Sequence, residues 1–370
     1  MSRVGAAVDE ALAELPLPGA EVLAVTAEGG LHHSAHGSVT KGAMYRLFSM
    51  TKLVGALIAL KAVEEGALRW GDLVGAYLPD FGDLQVIDGF DGETPRLRAQ
   101  ATKATLMDLA THRSGAAYMQ WCAPVAAYCR HEGIKGLDDS TRAGLRSLPL
   151  ALDPGAGWAY GTGIDWLGLA VQEAMGERLE VLVEERLLKP LGIESLVFAL
   201  DLEQEARLTE ANIIKDGSKT TLANDPPHKP DHAPMGSALY GDAAGFARLL
   251  QMILRGGEDV LSPASIDSLF SPRTGPLPPM ISQSPTASAD VDLFPGYKAT
   301  FALGGLRVEQ DIPGKRRAGS VGWAGMLNTH FWIDRTAGVA GLAMMQHLPF
   351  VDANAMAVYD AFERALYKEL

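Results

Sequence analysis

The chain has 370 residues, of which 47% are hydrophobic and 21% charged, the composition of a soluble globular enzyme. Its net charge of -13 and its pI near 5.2 argue against nucleic acid or an anionic membrane as a partner. A chain of this length exceeds what one hydrophobic core usually organises, which predicts two lobes.

The N-terminal segment is predicted to be an amphipathic surface helix. Hydrophobic residues recur at helical spacing between acidic ones across Met1–Leu17, and no basic segment leads into an apolar one as in a signal peptide. No apolar run approaches the roughly 20 residues that a membrane-spanning helix needs. The expected location is therefore cytoplasmic.

The first part of the chain is predicted to contain short strands and one apolar helix. Two strands around Glu28-Gly29-Gly30 form a predicted hairpin, and a third strand leads to Ser49. The helix that follows carries the apolar run 53–60 and ends at a glycine. The predicted elements are the strands Glu21–Thr26, Leu31–Ser38 and Met44–Phe48 and the helix Met50–Glu65, which Gly66 stops.

Ser49 and Lys52 form the first candidate reactive pair. Positions i and i+3 share one face of a helix, so the Lys52 ammonium can reach the Ser49 hydroxyl. Apolar neighbours that exclude water make a neutral lysine accessible, and the helix N-terminus offers N–H groups to a developing oxyanion. Ser-x-x-Lys also occurs from Ser38 to Lys41, but no apolar helix follows there, so Ser38 is predicted to lie in a hairpin or loop. Taken alone, the Ser49 motif fits a helix-capping serine with a solvated lysine equally well.

The middle of the chain is predicted to be mostly helical. Residues 71–102 lack periodicity and are rich in Asp, Gly and Pro, which predicts a long loop. Thr105 opens a helix with Asp108 at capping-box spacing. Further helices are predicted over 125–148, with an interruption around 133–139, over 164–175 and 179–188, from Asp242 to Leu254 and from Ser262-Pro263; residues 224–234 and 274–295 are predicted loops.

Tyr160 is the second candidate residue. It follows a glycine-rich turn and precedes the helix over 164–175, so its phenol can project into a cleft. Beside a lysine ammonium the phenolate is favoured, and the tyrosine can act as a base. A core aromatic whose hydroxyl finds a partner is the alternative.

The C-terminal part is predicted to return to strands. Strands at both ends of the chain with helices between them predict one sheet completed by both termini. Trp323-Ala324-Gly325, the third candidate, falls between two of these strands, where small residues permit close backbone approach; simple packing of Trp323 is the alternative. The predicted strands are 301–308, 317–321, 327–334 and 339–346, followed by a helix over 352–368.

Other reactive chemistry has less support. The sequence contains no Gly-x-Ser-x-Gly, phosphate-binding loop, dinucleotide fingerprint, His-Glu-x-x-His or Cys-x-x-Cys. Cys122 and Cys129 are expected to stay reduced, with a local disulfide as the less favoured alternative. Two histidine clusters fit solvated side chains better than a metal site, because no fixed carboxylate or thiolate spacing accompanies them. They are His32, His33 and His36, and His228 with His232; His112, His330 and His347 are predicted to be structural or rim residues.

With these motifs in order, the chain resembles the serine β-lactamase and penicillin-binding-protein superfamily, most closely the class C β-lactamase-like family VIII carboxylesterases. The resemblance covers roughly residues 5–368. Leu47–Lys52 is similar to the nucleophile motif, and Leu106–Gly115 is similar to a leucine-rich segment that ends in Thr-His-x-Ser-Gly. Pro154–Tyr160 matches the approach to the second motif, and Lys189–Ile193 matches the helix end after it.

The resemblance implies a β-lactamase/transpeptidase-like α/β (α+β) fold. Its central antiparallel sheet would be flanked by helices, in a domain formed by residues 1–75 and 176–370. A mostly helical lobe, residues 76–175, would close the active-site cleft.

The same resemblance assigns roles to single residues. Ser49 would be the acylated nucleophile, Lys52 and Tyr160 the general base, and the backbone N–H groups of Ser49 and Met326 the oxyanion hole. Tyr118 would form a wall of the acyl pocket, with loop packing as the alternative. The residues expected to contact substrate are Tyr118, Trp323 and Gly325.

Two departures from the family pattern concern substrate choice. The chain has Tyr160-Gly161-Thr162 where β-lactamases usually have Tyr-Ser-Asn or Tyr-x-Asn, so the amide that helps to hold a β-lactam side chain is missing. It has Trp323-Ala324-Gly325 where they have Lys-Thr-Gly, so the lysine that meets the substrate carboxylate is missing. Trp-x-Gly is typical of the esterase branch, and Arg316 or Arg317 is an alternative cation.

We therefore predict a cytoplasmic serine hydrolase that cleaves small-molecule carboxylic esters, with no cofactor, metal, nucleic acid or membrane partner. A transesterase or acyltransferase of the same fold is the nearest alternative. A β-lactamase or D-amino peptidase is less favoured, because the lysine and an export signal are missing. A binding protein that lost catalysis is least favoured, because Ser49, Lys52 and Tyr160 are all present.

Overall fold

The structure, a computed structural model, describes residues 2–134, 141–222 and 232–370. Most of the predicted interruption around 133–139, most of the predicted loop 224–234 and His228 lie outside the described residues. Within those three ranges, no helix is both long and apolar enough to cross a membrane.

Fourteen strands lie in the described part of the chain, and seven of them form one antiparallel sheet. In chain order they are β1 Gly19–Thr26, β2 Gly30–Gly37, β3 Tyr45–Arg46, β4 Val86–Asp91, β5 Thr94–Arg98, β6 Asn212–Lys215, β7 Ser218–Thr221, β8 Tyr240–Gly241, β9 Ala299–Ala302, β10 Gly305–Val308, β11 Val321–Gly325, β12 Thr329–Asp334, β13 Val339–Met344 and β14 His347–Leu348.

The same ranges contain thirteen α-helices. They are α1 Arg3–Ala13, α2 Thr51–Glu64, α3 Val74–Tyr77, α4 Pro79–Gly82, α5 Leu106–Ala110, α6 Ala123–Glu132, α7 Arg142–Arg146, α8 Gly163–Met175, α9 Leu179–Val183, α10 Leu202–Ala206, α11 Ala243–Leu254, α12 Pro263–Phe270 and α13 Ala353–Tyr367. A 3₁₀ turn, Phe48–Met50, precedes α2, and α9 continues as the π-helix Glu184–Leu188 and the 3₁₀ turn Lys189–Leu191.

The large sheet joins the two ends of the chain. Its strand order is β2-β1-β13-β12-β11-β10-β9, and β1 pairs with β13 so that Leu23 lies opposite Leu342. Every neighbouring pair is antiparallel. This confirms the predicted β1–β2 hairpin and the predicted antiparallel sheet completed by both termini.

The sheet separates two hydrophobic cores. Side chains alternate along a strand, so Val22 and Ala24 of β1 pack with α1 and α13, while Leu23 and Val25 belong to the core on the other face. That second core also contains α2, α8 and α11. Because α2 is apolar on nearly every side, the core encloses it, and α8 packs along it.

The predicted long loop over 71–102 is wrong. The structure has the short helices α3 and α4 and the hairpin β4–β5 there. A two-residue turn, Gly92-Glu93, joins Asp91 to Thr94, and its first residue, Gly92, has the positive φ of 63° that such hairpin turns require. Only the first two residues of β4 are buried, so the strands lack the apolar alternation on which the prediction relied.

The strand predicted over 317–321 is displaced along the chain. Residues 317–320 form a turn in which the Ser320 hydroxyl donates a hydrogen bond to the Arg317 carbonyl oxygen (2.8 Å). The strand is β11, so Trp323 lies within a strand and not between two. Gly322, Ala324 and Gly325 are residue types depleted in strands, which is why composition did not reveal β11.

Two further predicted strands differ in extent. The strand over 301–308 is two strands, β9 and β10, which pair through a turn at Leu303-Gly304. The strand over Met44–Phe48 is reduced to β3, and Phe48 belongs to the 3₁₀ turn before α2.

The division into a domain of residues 1–75 and 176–370 and a lobe of residues 76–175 stays a prediction. The segment 76–175 carries α4 to α8, but it also contains the hairpin β4–β5.

Candidate active site

Ser49 lies in the 3₁₀ turn that precedes α2, where the backbone is strained. Phe48 has a φ of 44°, a left-handed conformation that bulky side chains rarely adopt. Ser49 itself is half-buried and lines a cavity. The turn therefore presents the Ser49 hydroxyl at the N-terminal end of a buried helix.

Lys52 is directed at Ser49 from the first turn of α2. Its Nζ lies 3.1 Å from Ser49 Oγ, 3.0 Å from Tyr118 Oη and 2.8 Å from the Gly236 carbonyl oxygen, and the residue is only 6% exposed. A carbonyl oxygen accepts hydrogen bonds and cannot donate, so Gly236 fixes one N–H of Lys52. If Tyr118 Oη accepts a hydrogen bond from a second N–H of Lys52, the remaining position of the tetrahedral nitrogen points at Ser49 Oγ. In a neutral lysine that position carries the lone pair.

Tyr160 approaches the same oxygen from the other side. Its Oη donates a hydrogen bond to Ser49 Oγ (2.8 Å) and accepts one from Trp323 Nε1 (3.0 Å). Lys52 Nζ also lies 5.0 Å from the centroid of the Tyr160 ring. The fold thus brings together the three residues that the sequence predicted, with Ser49 Oγ between an amine and a phenol.

Tyr118 is a buried neutral partner of Lys52. Burial raises the pKa of its phenol well above the usual value, and the nearby Asp165 and Tyr160 act in the same direction. Its backbone N–H donates to the Tyr160 carbonyl oxygen (2.9 Å), so the two segments run side by side. Tyr118 lines the cavity at Ser49, and its role as a wall of the acyl pocket stays a prediction.

Gly325 and Met326 bring the end of β11 to the Ser49 turn. A Cβ on Gly325 would lie 2.2 Å from the Leu47 carbonyl oxygen, so only glycine permits this approach. Met326, the next residue, lines the same cavity as Ser49. The predicted pair of oxyanion N–H groups, those of Ser49 and Met326, therefore belongs to two segments that border one cavity.

The cavity beside Ser49 has a volume of about 250 Å³. Its apolar wall includes Phe48, Trp121, Leu145 and Met326. Among the described residues that line it, Asp165 is the only acidic or basic side chain. Trp323 is buried beside Tyr160 and does not border this space, so its predicted contact with substrate stays a prediction.

The sequence did not single out Asp165 or Trp121. Asp165 is 5% exposed in the first turn of α8, and its Oδ1 accepts a hydrogen bond from the Gly236 N–H (2.8 Å). Burial raises the pKa of its carboxyl, and the Lys52 charge acts in the opposite direction. The sequence did carry one sign that Asp165 is buried. It is the only acidic residue in the segment 164–171 of α8, and every residue of that segment is buried.

The alternative that Arg316 supplies the missing cation is wrong. Arg316 is 1% exposed, and its guanidinium pairs with Glu363 (2.7 Å) over the ring of Trp332, in the core beneath α13. Arg317 is exposed and does not line the Ser49 cavity.

Ser38, the serine of the second Ser-x-x-Lys, lies elsewhere. It is exposed after β2, and its hydroxyl donates to the Pro18 carbonyl oxygen (3.1 Å).

Several of the described histidines pack against or pair with neighbouring side chains. His112 packs against the Tyr160 ring at 4.7 Å, and burial lowers the pKa of its imidazole well below the usual value. Burial likewise lowers the pKa of His330 to about 3. His33 pairs with Glu21 (2.7 Å) and His36 with Asp9 (2.6 Å). Within the described residues, no group of three or more His, Cys, Asp or Glu could hold a metal ion, and both cysteines are free thiols.

Comparison with known proteins connects this geometry to a family. The chain is 30% identical over 346 residues to monacolin J acid methylbutanoyltransferase of Aspergillus terreus, covering 88% of this chain and 82% of that protein. It is 28% identical over 344 residues to lovastatin esterase of Penicillium rubens, covering 87% and 84%. A mutant of simvastatin synthase (LovD) from Aspergillus terreus superposes with a TM-score of 0.85 at 26% identity, covering 99% of this chain and 96% of that one.

The sequence model of the Beta-lactamase family matches residues 4–365, nearly the whole chain. The chain therefore belongs to the beta-lactamase family, as a serine-hydrolase-type enzyme of the serine β-lactamase and penicillin-binding-protein superfamily.

Proposed function

We propose that the chain is a carboxylesterase of the family VIII type, which cleaves esters through an acyl-enzyme on Ser49. One observation carries the proposal. Ser49 Oγ lies within hydrogen-bond distance of both Lys52 Nζ (3.1 Å) and Tyr160 Oη (2.8 Å), which is the arrangement of a nucleophile with its base.

In the acylation step, the Ser49 Oγ–H proton passes to Lys52, whose lone pair faces it, as Oγ bonds to the ester carbonyl carbon. The backbone N–H groups of Ser49 and Met326 stabilise the negative charge that develops on the carbonyl oxygen. The bond from the carbonyl carbon to the alcohol oxygen then breaks, and the alcohol leaves with the same proton, which Lys52 returns through the Tyr160 hydroxyl, so that the two residues act together in one proton transfer. The N–H of Trp323 holds that hydroxyl in place.

In the deacylation step, water attacks the acyl-enzyme from the cavity side. Its proton passes to the Lys52–Tyr160 pair as its oxygen bonds to the carbonyl carbon. The bond to Ser49 Oγ breaks, Ser49 regains its proton, and a carboxylic acid leaves. The products are one acid and one alcohol, and no cofactor takes part.

The cavity supports a short, uncharged acyl group. Its volume of about 250 Å³ and its walls of Phe48, Trp121, Leu145 and Met326 suit a few apolar carbons. A carboxylate placed there would lose its hydration, and the described residues that line the cavity include no lysine or arginine to pair with it, which is costly.

A second candidate function is transfer of the acyl group to an alcohol. It is supported by the relative at 30% identity, which is named as a methylbutanoyltransferase, whereas the relative at 28% identity is named as an esterase. Both activities use the same acyl-enzyme and differ only in which acceptor reaches it.

Product analysis separates the two functions. With a short-chain nitrophenyl ester in water, we expect one acid for each nitrophenolate released. Adding graded concentrations of a secondary alcohol should leave free acid as the main product if hydrolysis is the function. If the new ester dominates at alcohol concentrations far below that of water, transfer is the function. An acyl-enzyme that never forms on Ser49 would contradict both.

We expect neutral esters to be better substrates than β-lactams. A β-lactam carries a carboxylate, and the described residues lining the Ser49 cavity include no lysine or arginine. The kcat/KM for a short-chain nitrophenyl ester should therefore exceed that for a chromogenic cephalosporin by at least about 10²-fold, the cost of desolvating an unpaired charge being several kcal/mol.

Substitution of Trp323 sharpens this comparison. Trp323→Lys should weaken ester hydrolysis, and any gain should appear only on carboxylate-bearing substrates. Trp323→Phe is the matched control, because it removes the N–H donated to Tyr160 without adding a charge. A wild-type protein with a higher kcat/KM for the cephalosporin than for the ester would contradict the prediction. It would mean that the substrate carboxylate is paired with a cation outside the described lining of the cavity.

A further inference from the structure

Asp165 is a buried carboxyl group that the proposed reaction leaves without a role. It reaches the site through Gly236, whose N–H donates to Asp165 Oδ1 (2.8 Å) and whose carbonyl oxygen accepts from Lys52 Nζ (2.8 Å). One residue thus connects the carboxylate to the lysine. A Cβ on Gly236 would lie 2.4 Å from Asp165 Oδ2, so the carboxylate approaches this closely only because position 236 is glycine.

Burial raises the pKa of the Asp165 carboxyl, and three features of its position act in the opposite direction. It lies in the first turn of α8, where the partial positive charge of a helix N-terminus stabilises an anion. The Gly236 N–H and the Lys52 ammonium both favour the ionised carboxylate.

We infer that Asp165 is a positioning residue for Lys52: it fixes the Gly236 carbonyl that orients the amine, and it supplies the counter-charge to the ammonium. The inference rests on the proposed function, since it concerns the base of that reaction. When Lys52 takes up the Ser49 proton, the new positive charge forms in a buried site where few groups can balance it. Asp165 balances it without touching the reacting atoms.

The other titratable groups that face Lys52 and Asp165 do not supply a negative charge to balance the ammonium. They are Tyr118 and Tyr160 against Lys52, His112 beside the Tyr160 ring, and His232 near Asp165. Burial raises the pKa of Tyr118 and lowers that of His112, so both are neutral near pH 7 and offer no negative charge.

The pH profile of ester hydrolysis tests the inference. Asp165→Asn keeps an oxygen for the Gly236 N–H but removes the charge. A nearby negative charge favours the protonated form of a base, so removing that charge lets the base of the reaction accept the serine proton at lower pH. The acid limb of kcat/KM should move to lower pH by about one unit, the low end of the effect of one nearby charge. Glu173→Gln is the control, because it removes an exposed acid from the same helix and should leave the limb in place.

Asp165→Ser, which keeps an oxygen but no charge, is the second variant and should show the same displacement. A purely structural role would lower kcat or stability and leave the limb where it is; that result overturns the inference. A serine-directed phosphonate distinguishes the two levels of the proposal. If wild-type Ser49 is labelled and the limb does not move, only the role of Asp165 fails. If Ser49 is not labelled, the proposed function fails as well.

Discussion

Ser49→Ala should abolish ester hydrolysis, with a loss of more than about 10⁴-fold in kcat, the scale seen when a serine nucleophile is removed. Ser49 Oγ is the atom on which Lys52 and Tyr160 converge, and no other oxygen in the described part of the site has both as partners. A steady-state assay with a nitrophenyl ester measures the loss. Intact-mass analysis after phosphonate treatment should show one adduct on the wild type and none on the variant.

Ser38→Ala is the matched control for this variant. Ser38 is also followed by a lysine at the third position, but it is exposed and hydrogen-bonded to the Pro18 carbonyl oxygen. Its activity should stay near that of the wild type. Turnover by the Ser49→Ala protein would contradict the assignment of the nucleophile, and loss of activity in Ser38→Ala would show that the local helix context does not distinguish the two motifs.

The parts of the fold that depend on local pattern were predictable. The β1–β2 hairpin, the capping box of Thr105 and Asp108, and the final helix all follow from short-range signals, and the structure confirms each. The β4–β5 hairpin was missed although its two-residue turn begins with Gly92, because most of its residues are at least partly exposed and carry no apolar alternation. β11 was misplaced because its pairing with β12, and not the propensity of its residues, makes it a strand.

In the candidate site, too, the residues related by local spacing were predictable, and those that meet only through tertiary packing were not. Ser49 and Lys52 were predictable as a pair because one turn of helix joins them. The contact of Trp323 with Tyr160 was not, because 163 residues separate the two and only the folded sheet brings them together. Asp165 looked like an ordinary acid in the first turn of a helix. Its burial, and the glycine at 236 that makes room for it, depend on packing between distant segments.

Lys52 and Tyr160 should behave as one unit. Lys52→Met and Tyr160→Phe should each lower kcat/KM by about 10²-fold or more, the usual scale for a general base. Ser49 Oγ is hydrogen-bonded to both residues, so either change alone interrupts the proton transfer. Adding the second change should therefore lower kcat/KM only a little further. The double variant should therefore lose much less than the product of the two single losses. A kinetic double-mutant cycle with one neutral ester measures the coupling.

Two controls keep this cycle interpretable. Lys61→Met removes a lysine from the same helix, where Nζ donates to the Val260 carbonyl oxygen, and Tyr128→Phe removes a phenol remote from Ser49. Neither should change kcat/KM by more than about twofold, since surface and remote substitutions usually shift energies by less than about 0.5 kcal/mol. Multiplicative losses at Lys52 and Tyr160 would mean that the two act in separate steps. In that case the lysine would serve acylation and the tyrosine the departure of the alcohol, and a leaving group that needs no proton should restore activity to Tyr160→Phe but not to Lys52→Met.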